Sequence, residues 1–168
     1  MDRALIDNWN VSVRDKDHVF VLGDLSFRSN VATLGIMAEL RGTKYLIRGN
    51  HDHRLNTAVL SMFDGGVADY HEIDIDDQCI VLCHFAFRSW NKMHYGSWNL
   101  HGHSHGNLVP KGRQCDVGVD AWGAPATPGG YAPVSYELLL EVMATVRIVS
   151  EDHHQPKEQH DLPHSPGS

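Results

Sequence analysis

Four times along this chain a short apolar run stops at a glycine or cysteine, and a side chain able to bind a metal comes directly after. Val19–Leu22 precedes Gly23-Asp24, and Tyr45–Ile47 precedes Arg48-Gly49-Asn50. Ile80–Leu82 precedes Cys83-His84, and Trp98–Leu100 precedes His101-Gly102-His103. Runs this short with no 3.6-residue face read as strands covered on both sides. In an α/β sheet the loops after the strands share one crevice, so side chains far apart in sequence meet there. The pattern therefore predicts an α/β fold with Asp24, Asn50, His84 and His103 gathered at one end.

The intervening segments fit that alternation. Leu5, Ile6 and Trp9 have helical spacing, predicting a helix from Met1 to about Asn10 that begins without a cap. Further helices are expected over Asn30–Leu40, stopped by Arg41-Gly42, over about Leu55–Phe63, and over Ser135–Val146. Strands are expected over Asp17–Asp24, Lys44–Ile47, Tyr70–Ile75, Cys79–Cys83 and Cys115–Asp120, with turns at Asp64-Gly65-Gly66 and Asp76-Asp77. The 168 residues and 42% apolar content suit one domain with a real core. We place that domain at 1–149 and read 150–168 as a disordered, Pro- and His-bearing tail.

Composition narrows the function. The net charge is -7 and no basic patch stands out, so charge does not indicate nucleic-acid binding. Acting on an anionic phosphoester would then require a metal or local arginines to offset repulsion. Cys79, Cys83 and Cys115 are an odd count without CxxC spacing, which argues against a disulfide framework and for a cytoplasmic setting. Neither a signal peptide nor a membrane-length apolar run is evident. Histidine is over-represented at 13 residues, with His153, His154, His160 and His164 in the tail. Those four bind metal adventitiously if at all.

The run Gly49-Asn50-His51-Asp52-His53 is the densest chemistry: a neutral amide oxygen, two imidazoles and a carboxylate directly after a strand. These hard and borderline donors suit divalent metals that hold phosphate. With Gly23-Asp24, Cys83-His84 and Gly102-His103-Ser104-His105 it forms an ordered set. That set resembles the calcineurin-like metallophosphoesterase family, four of whose five sequence blocks are present. His84-Phe85-Ala86-Phe87-Arg88-Ser89-Trp90-Asn91 and Gly96-Ser97-Trp98 are similar to a small phage and bacterial phosphoesterase subgroup.

The resemblance implies a four-layer sandwich of two mixed β-sheets flanked by helices, here without its first strand. It also implies a phosphomono- or phosphodiester hydrolase that uses metal-activated water. Such enzymes hold two divalent ions (Mn, Fe, Zn, Mg or Ni) bridged by a carboxylate and a hydroxide. Carried over, Asp24 matches the bridging ligand. Asn50, His84 and His103 match the other ligands of the second metal, and His105 a ligand of the first. His51 matches the catalytic histidine at the leaving oxygen, and Asp52 the carboxylate that orients it. Paired cations lower the pKa of a bridging water and offset charge building on phosphorus. A histidine held by a carboxylate suits proton transfer near neutral pH.

The family's first block, Asp-x-His, is missing. Asp15, Asp17 and His18 cannot replace it, because His18 precedes Asp24 by about 20 Å of extended strand. The second metal site keeps four ligands and the first only Asp24 and His105, too few for a stable site. The resulting expectation is an N-terminal truncation, or a start assigned at an internal Met, with one metal bound and weak hydrolysis. The alternative is a catalytically impaired metal-binding remnant with a structural or regulatory role. A pure protein-interaction domain has less behind it, since no amphipathic partner helix or repeat is present.

Other residues leave two readings open. Arg88 is a phosphate clamp or a surface ion pair, and His94 lines the pocket or is exposed. His101 alternates with His103 and His105 and is expected to pack beside the site without ligating. Trp90 and Trp98 are expected in the core or pocket wall, and Gly123–Gly130 as a surface loop.

Overall fold

The computed structural model describes residues 2–121, 131–149 and 151. The Gly123–Gly130 segment and the four tail histidines lie outside the described residues. Helix α1 spans Asp2–Ser12 and leads to strand β1 (His18–Val21). Helix α2 (Asn30–Glu39), β2 (Thr43–Ile47), α3 (Thr57–Leu60) and β3 (Gly66–Ala68) come next. Strands β4 (Tyr70–Ile75), β5 (Gln78–Cys83), β6 (Trp98–His101) and β7 (Gln114–Asp116) precede α4 (Tyr136–Ala144). Single 3-10 turns occupy Asp52–Arg54 and Met93–Tyr95.

Two sheets result, as the expected α/β sandwich requires. One is ordered β1-β2-β3 and is parallel throughout. The other is ordered β4-β5-β6-β7 and is mixed, with β4 antiparallel to β5 and the remaining pairs parallel. The Asp76-Asp77 turn joins β4 to β5 with both residues at positive φ, 48° and 67°. That matches the tight hairpin turn whose twist suits flanking strands.

The sheets face each other across one apolar layer. Leu22 and Ile47 from the first meet Ile80, Leu82, Trp98 and Leu100 from the second, with Leu139 and Met143 of α4 closing the layer. Each fully buried aliphatic side chain here contributes about 2 kcal/mol by area. The other face of the parallel sheet is covered by Met37 of α2 against Leu46 and Phe63. The outer face of the mixed sheet is covered by a loop instead of a helix, with Trp90 and Met93 packed on Val81. Among the described residues no helix is long and apolar enough to cross a membrane.

Several boundaries differ from the sequence reading. The helix expected over Leu55–Phe63 shrinks to four residues, because Asn56 caps it and Ser61 ends it. The strand expected from Cys115 stops at Asp116, whose side chain turns back to bind a neighbouring loop. Strand β3 begins inside the expected Asp64-Gly65-Gly66 turn; only three of its residues pair, too few to register as an apolar run.

Candidate metal centre

Asp24 and Asn50 lie just past β1 and β2, while His84 and His103 lie just past β5 and β6. One hydrogen bond ties the two sheets at this point: His84 Nδ1–H donates to the carbonyl of Leu22, 2.7 Å away. The imidazole is 1% exposed, so its orientation is fixed. Its Nε2 then points at Asn50 Oδ1, at hydrogen-bonding distance of 3.0 Å, and at Asp24 Oδ2, 3.6 Å away. The His103 ring stands edge-on to His84, with centroids 5.0 Å apart. Asp24, His84 and His103 each offer a ligand atom, all within 4.8 Å of one another. The structure thus brings together the four residues that the sequence pattern singles out.

Close backbone approach makes this possible. Gly23 has φ +82°, and a Cβ there would strike His84 Nδ1 and the Gly49 backbone. A Cβ at Gly49 would lie 2.5 Å from Asp24 Oδ1. Asp24 and His103 themselves sit at φ 53° and 65°, and His105 at 49°. Left-handed backbone at a residue with a side chain is strained, and such strain clusters at functional sites.

The loop after β2 is held by Asp52, which is 3% exposed. Its Oδ2 accepts N–H bonds from Asp24 (2.9 Å) and Gly49 (2.8 Å), and its Oδ1 accepts one from Leu25 (2.9 Å). This corrects the expected orienting contact: Asp52 spends both oxygens on backbone amides, not on the His51 ring. His51 is exposed, with its backbone N–H on Asp24 Oδ1 at 2.9 Å and its ring 5.2 Å from Phe27. Arg54 lies over the other partner of that contact, 5.5 Å from the Phe27 centroid. His53 bonds its own loop through Nδ1 and the Asn50 carbonyl.

His105 does not join the cluster. Its Nδ1 bonds Asp120 Oδ2, and that carboxylate holds the imidazole above its ordinary range. Sequence reasoning misses Asp116 and Asp120 because both fall inside the strand expected over Cys115–Asp120. Asp116 Oδ2 accepts from Ser104 Oγ (2.6 Å) and the Gly106 N–H (2.9 Å), and its Oδ1 from the Gly118 N–H (2.9 Å). Burial pushes this carboxyl up, but those three donors hold it below 3.8.

Two expected pocket residues lie elsewhere. His94 sits in the 3-10 turn before β6, beside Gly96, whose carbonyl bonds Gln78 at the start of β5. It is therefore at the opposite end of the mixed sheet from His84, because the loop after His84 runs back along the sheet's outer face. Arg88 lies on that loop, its side chain 85% exposed, and pairs with Glu151 at 3.4 Å. His101 is buried in β6 with Nδ1 on the Gly102 carbonyl, outside the Asp24, His84 and His103 group. His18 begins β1, at the far end from Asp24, and contacts the Tyr45 hydroxyl. Trp90 and Trp98 are buried, as are Cys79 and Cys83.

Beside the cluster opens a groove of about 500 Å³ lined by Arg48, Gly49, Asn50, His53, Asp69 and Phe85. Arg48 grips Asp69 side-on, Nε to Oδ1 at 2.8 Å and an Nη to Oδ2 at 3.0 Å. The Asp69 carboxylate raises the guanidinium further above its usual range, and the guanidinium lowers Asp69. Arg48 directly precedes Gly49-Asn50 in the chain, yet nothing in the sequence distinguishes it from a solvated strand end.

Comparison with known proteins bears on family and fold. The Gene 66 protein of Mycobacterium phage D29 is 30% identical over 151 residues, covering 72% of this chain and 76% of the phage protein. The chain belongs to the same family as that Gene 66 protein. An uncharacterized protein of Methanocaldococcus jannaschii is 29% identical over 158 residues, covering 89% of this chain and 78% of its own. The Gene 66 protein of Mycobacterium phage L5 is 27% identical over 164 residues, covering 73% and 74%. A crystal structure of a protein of unknown function from Aquifex aeolicus superposes with a TM-score of 0.61 at 20% identity, covering 84% of both chains. That likeness shows the fold. No protein-family model matches the sequence.

Proposed function

We propose that this protein is a metal-dependent phosphoesterase of the calcineurin-like kind. One observation carries the reading. With Nδ1–H committed to Leu22, His84 Nε2 faces two oxygens at 3.0 and 3.6 Å. These groups repel unless positive charge lies among them, a proton on Nε2 or a metal ion, and His103 completes a set of ligand atoms within 4.8 Å of one another that suits the ion. One carboxylate, one amide oxygen and two imidazoles suit Mn, Fe, Zn, Mg or Ni, and their mixed character does not choose among these. The bond from His84 to a backbone carbonyl is the usual support for a ligating histidine.

Asp24, Asn50, His84 and His103 would hold that ion. When bound, it supplies Lewis acidity that polarises a phosphoryl oxygen and makes water acidic enough to attack phosphorus. The chain's own groups do the rest. Asp52 fixes the Asp24 and Gly49 loops relative to each other through three N–H bonds. His51, tethered by its backbone to Asp24 and exposed at the cluster's rim, delivers a proton to the leaving oxygen. Arg48 lines the groove with Nε and one Nη held by Asp69, and its remaining N–H groups are the ones left to bond a phosphate.

The second reading, a metal-binding remnant of low activity, draws on His105. Tied to Asp120, it leaves no second cluster comparable to the first among the described residues. Hydrolysis of bis-p-nitrophenyl phosphate with added Mn²⁺ separates the two. Full-length protein with the four tail histidines changed to Gln should bind about one metal per chain and turn over substrate. His51→Ala should keep the metal and lose turnover. Metal binding without turnover supports the remnant, and no metal at all overturns both.

A further inference from the structure

Phe85 is a large apolar ring and yet 45% exposed. It is not loose. Its ring stands edge-on to His84 at 4.9 Å and to His103 at 4.8 Å, so two proposed ligands brace it from behind. Its remaining surface lines the groove together with Arg48, Asn50, His53 and Asp69. An exposed aromatic face costs hydration free energy that the fold could avoid with a polar residue. Beside a phosphate-sized cluster, such a face serves a flat partner best.

We infer that this groove takes the organic half of the phosphoester, and that this half is a flat aromatic or heteroaromatic ring stacked on Phe85. The inference rests on the phosphoesterase reading for where phosphorus sits. About 500 Å³ accommodates one such ring with a linking sugar or a single aryl group, and falls in the range of small-ligand sites. Arg48 lines the same groove. Gripped side-on by Asp69, its guanidinium plane is oriented before ligand arrives, so little ordering is lost on contact with the ester's charge. The net charge of -7 disfavours a polynucleotide, which would need a basic track rather than one arginine. The ligand is therefore a small ester, from a mononucleotide or from a simple aryl phosphate.

The test compares three esters sharing the phosphate and differing in the organic half: adenosine 5'-monophosphate, p-nitrophenyl phosphate and glycerol phosphate. Binding to Mn²⁺-loaded full-length protein is measured by calorimetry, and KM and kcat separately. Phe85→Leu, which keeps an apolar group against His84 and His103 but removes the ring face, should weaken both ring-bearing esters about tenfold, the range of one stacking contact. It should leave glycerol phosphate and metal content unchanged, and Phe85→Trp should restore ring binding. Preference for adenosine monophosphate over the nitrophenyl ester identifies a nucleotide source, and the reverse an aryl one. Ring binding without hydrolysis of any of these monoesters or of bis-p-nitrophenyl phosphate would sink the phosphoesterase reading while the groove assignment stands. Equal binding of all three esters, equal losses in Phe85→Leu, or tighter binding of an oligonucleotide than of the monophosphate would overturn the inference.

Discussion

Replacing Asp52 by Asn distinguishes two roles that the sequence alone merges. In the structure the carboxylate accepts three buried backbone N–H bonds, two on Oδ2 from Asp24 and Gly49 and one on Oδ1 from Leu25. An asparagine has one acceptor oxygen. Seated toward Asp24 and Gly49, it keeps two bonds in weaker neutral form and leaves the Leu25 N–H facing an NH₂ group. A hydrogen bond to a charged acceptor contributes about 2 kcal/mol and a neutral one about 1 kcal/mol. One bond lost and two weakened therefore remove about 4 kcal/mol, a large share of a typical domain's stability. For a chain of 168 residues that lowers the unfolding midpoint by roughly 8–16 °C.

The assay is thermal unfolding of Asp52→Asn beside the parent, at neutral pH, with metal content measured on both. The bonded N–H groups belong to the two loops carrying Asp24 and Asn50, so metal affinity should fall together with stability. The contrary result is specific. If Asp52 chiefly orients the His51 imidazole, Asn preserves the fold. The midpoint would then move by less than about 1 °C while turnover dropped. That outcome would refute the loop-tying account.

Two more perturbations probe the same framework. Asp116 is held below its ordinary value of 3.8 despite burial, so its contribution to stability is complete above that pH and fades as pH falls toward the folded value. Asp116→Asn should be less stable at neutral pH and should flatten the stability profile below about pH 4, read by chemical denaturation from about pH 3 to about pH 7. Gly23→Ala combines positive φ with a Cβ that strikes His84 and the Gly49 backbone. It should cost about 3 kcal/mol, from left-handed strain plus overpacking. A midpoint within about 2 °C of the parent would contradict that geometry.

Much of the architecture is legible because apolar runs and their terminal residues obey local rules. Val19–Leu22 and Ile80–Leu82 lack a helical face, and the loop leaving a parallel strand must emerge at the sheet's ligand end. Hence Asp24, Asn50, His84 and His103 can be grouped without coordinates. The hidden part depends on where a chain goes after it leaves a strand. His94 is only ten residues beyond His84, yet the loop carries it to the other end of β5. Asp52 beside His51 reads as a pair, but the convergence of three amides on one carboxylate is a property of two loops, invisible in either. Asp116 and Asp120 look like strand residues in sequence, and only the side-chain contacts of Asp116 show that it terminates the strand.

The backbone at the ligand positions bears on how many cations the site can hold. Asp24, His103 and His105 all sit at positive φ, each at about 1 kcal/mol above the right-handed alternative, where glycine would sit with little strain. A side chain at such a position is retained for what it does. Asp24 and His103 turn theirs into one cluster, while His105, on the same loop and with the same backbone twist, turns its ring to Asp120. The loop geometry therefore prepares two histidines but commits only one to the cluster. The bond to Asp120 uses Nδ1 and leaves Nε2 as the nitrogen open to a ligand, the same division of labour that orients His84 through Leu22. Asp120 therefore turns His105 away from the first cluster without excluding it as a ligand elsewhere, and metal content per chain of His105→Ala beside the parent decides whether it holds a second ion.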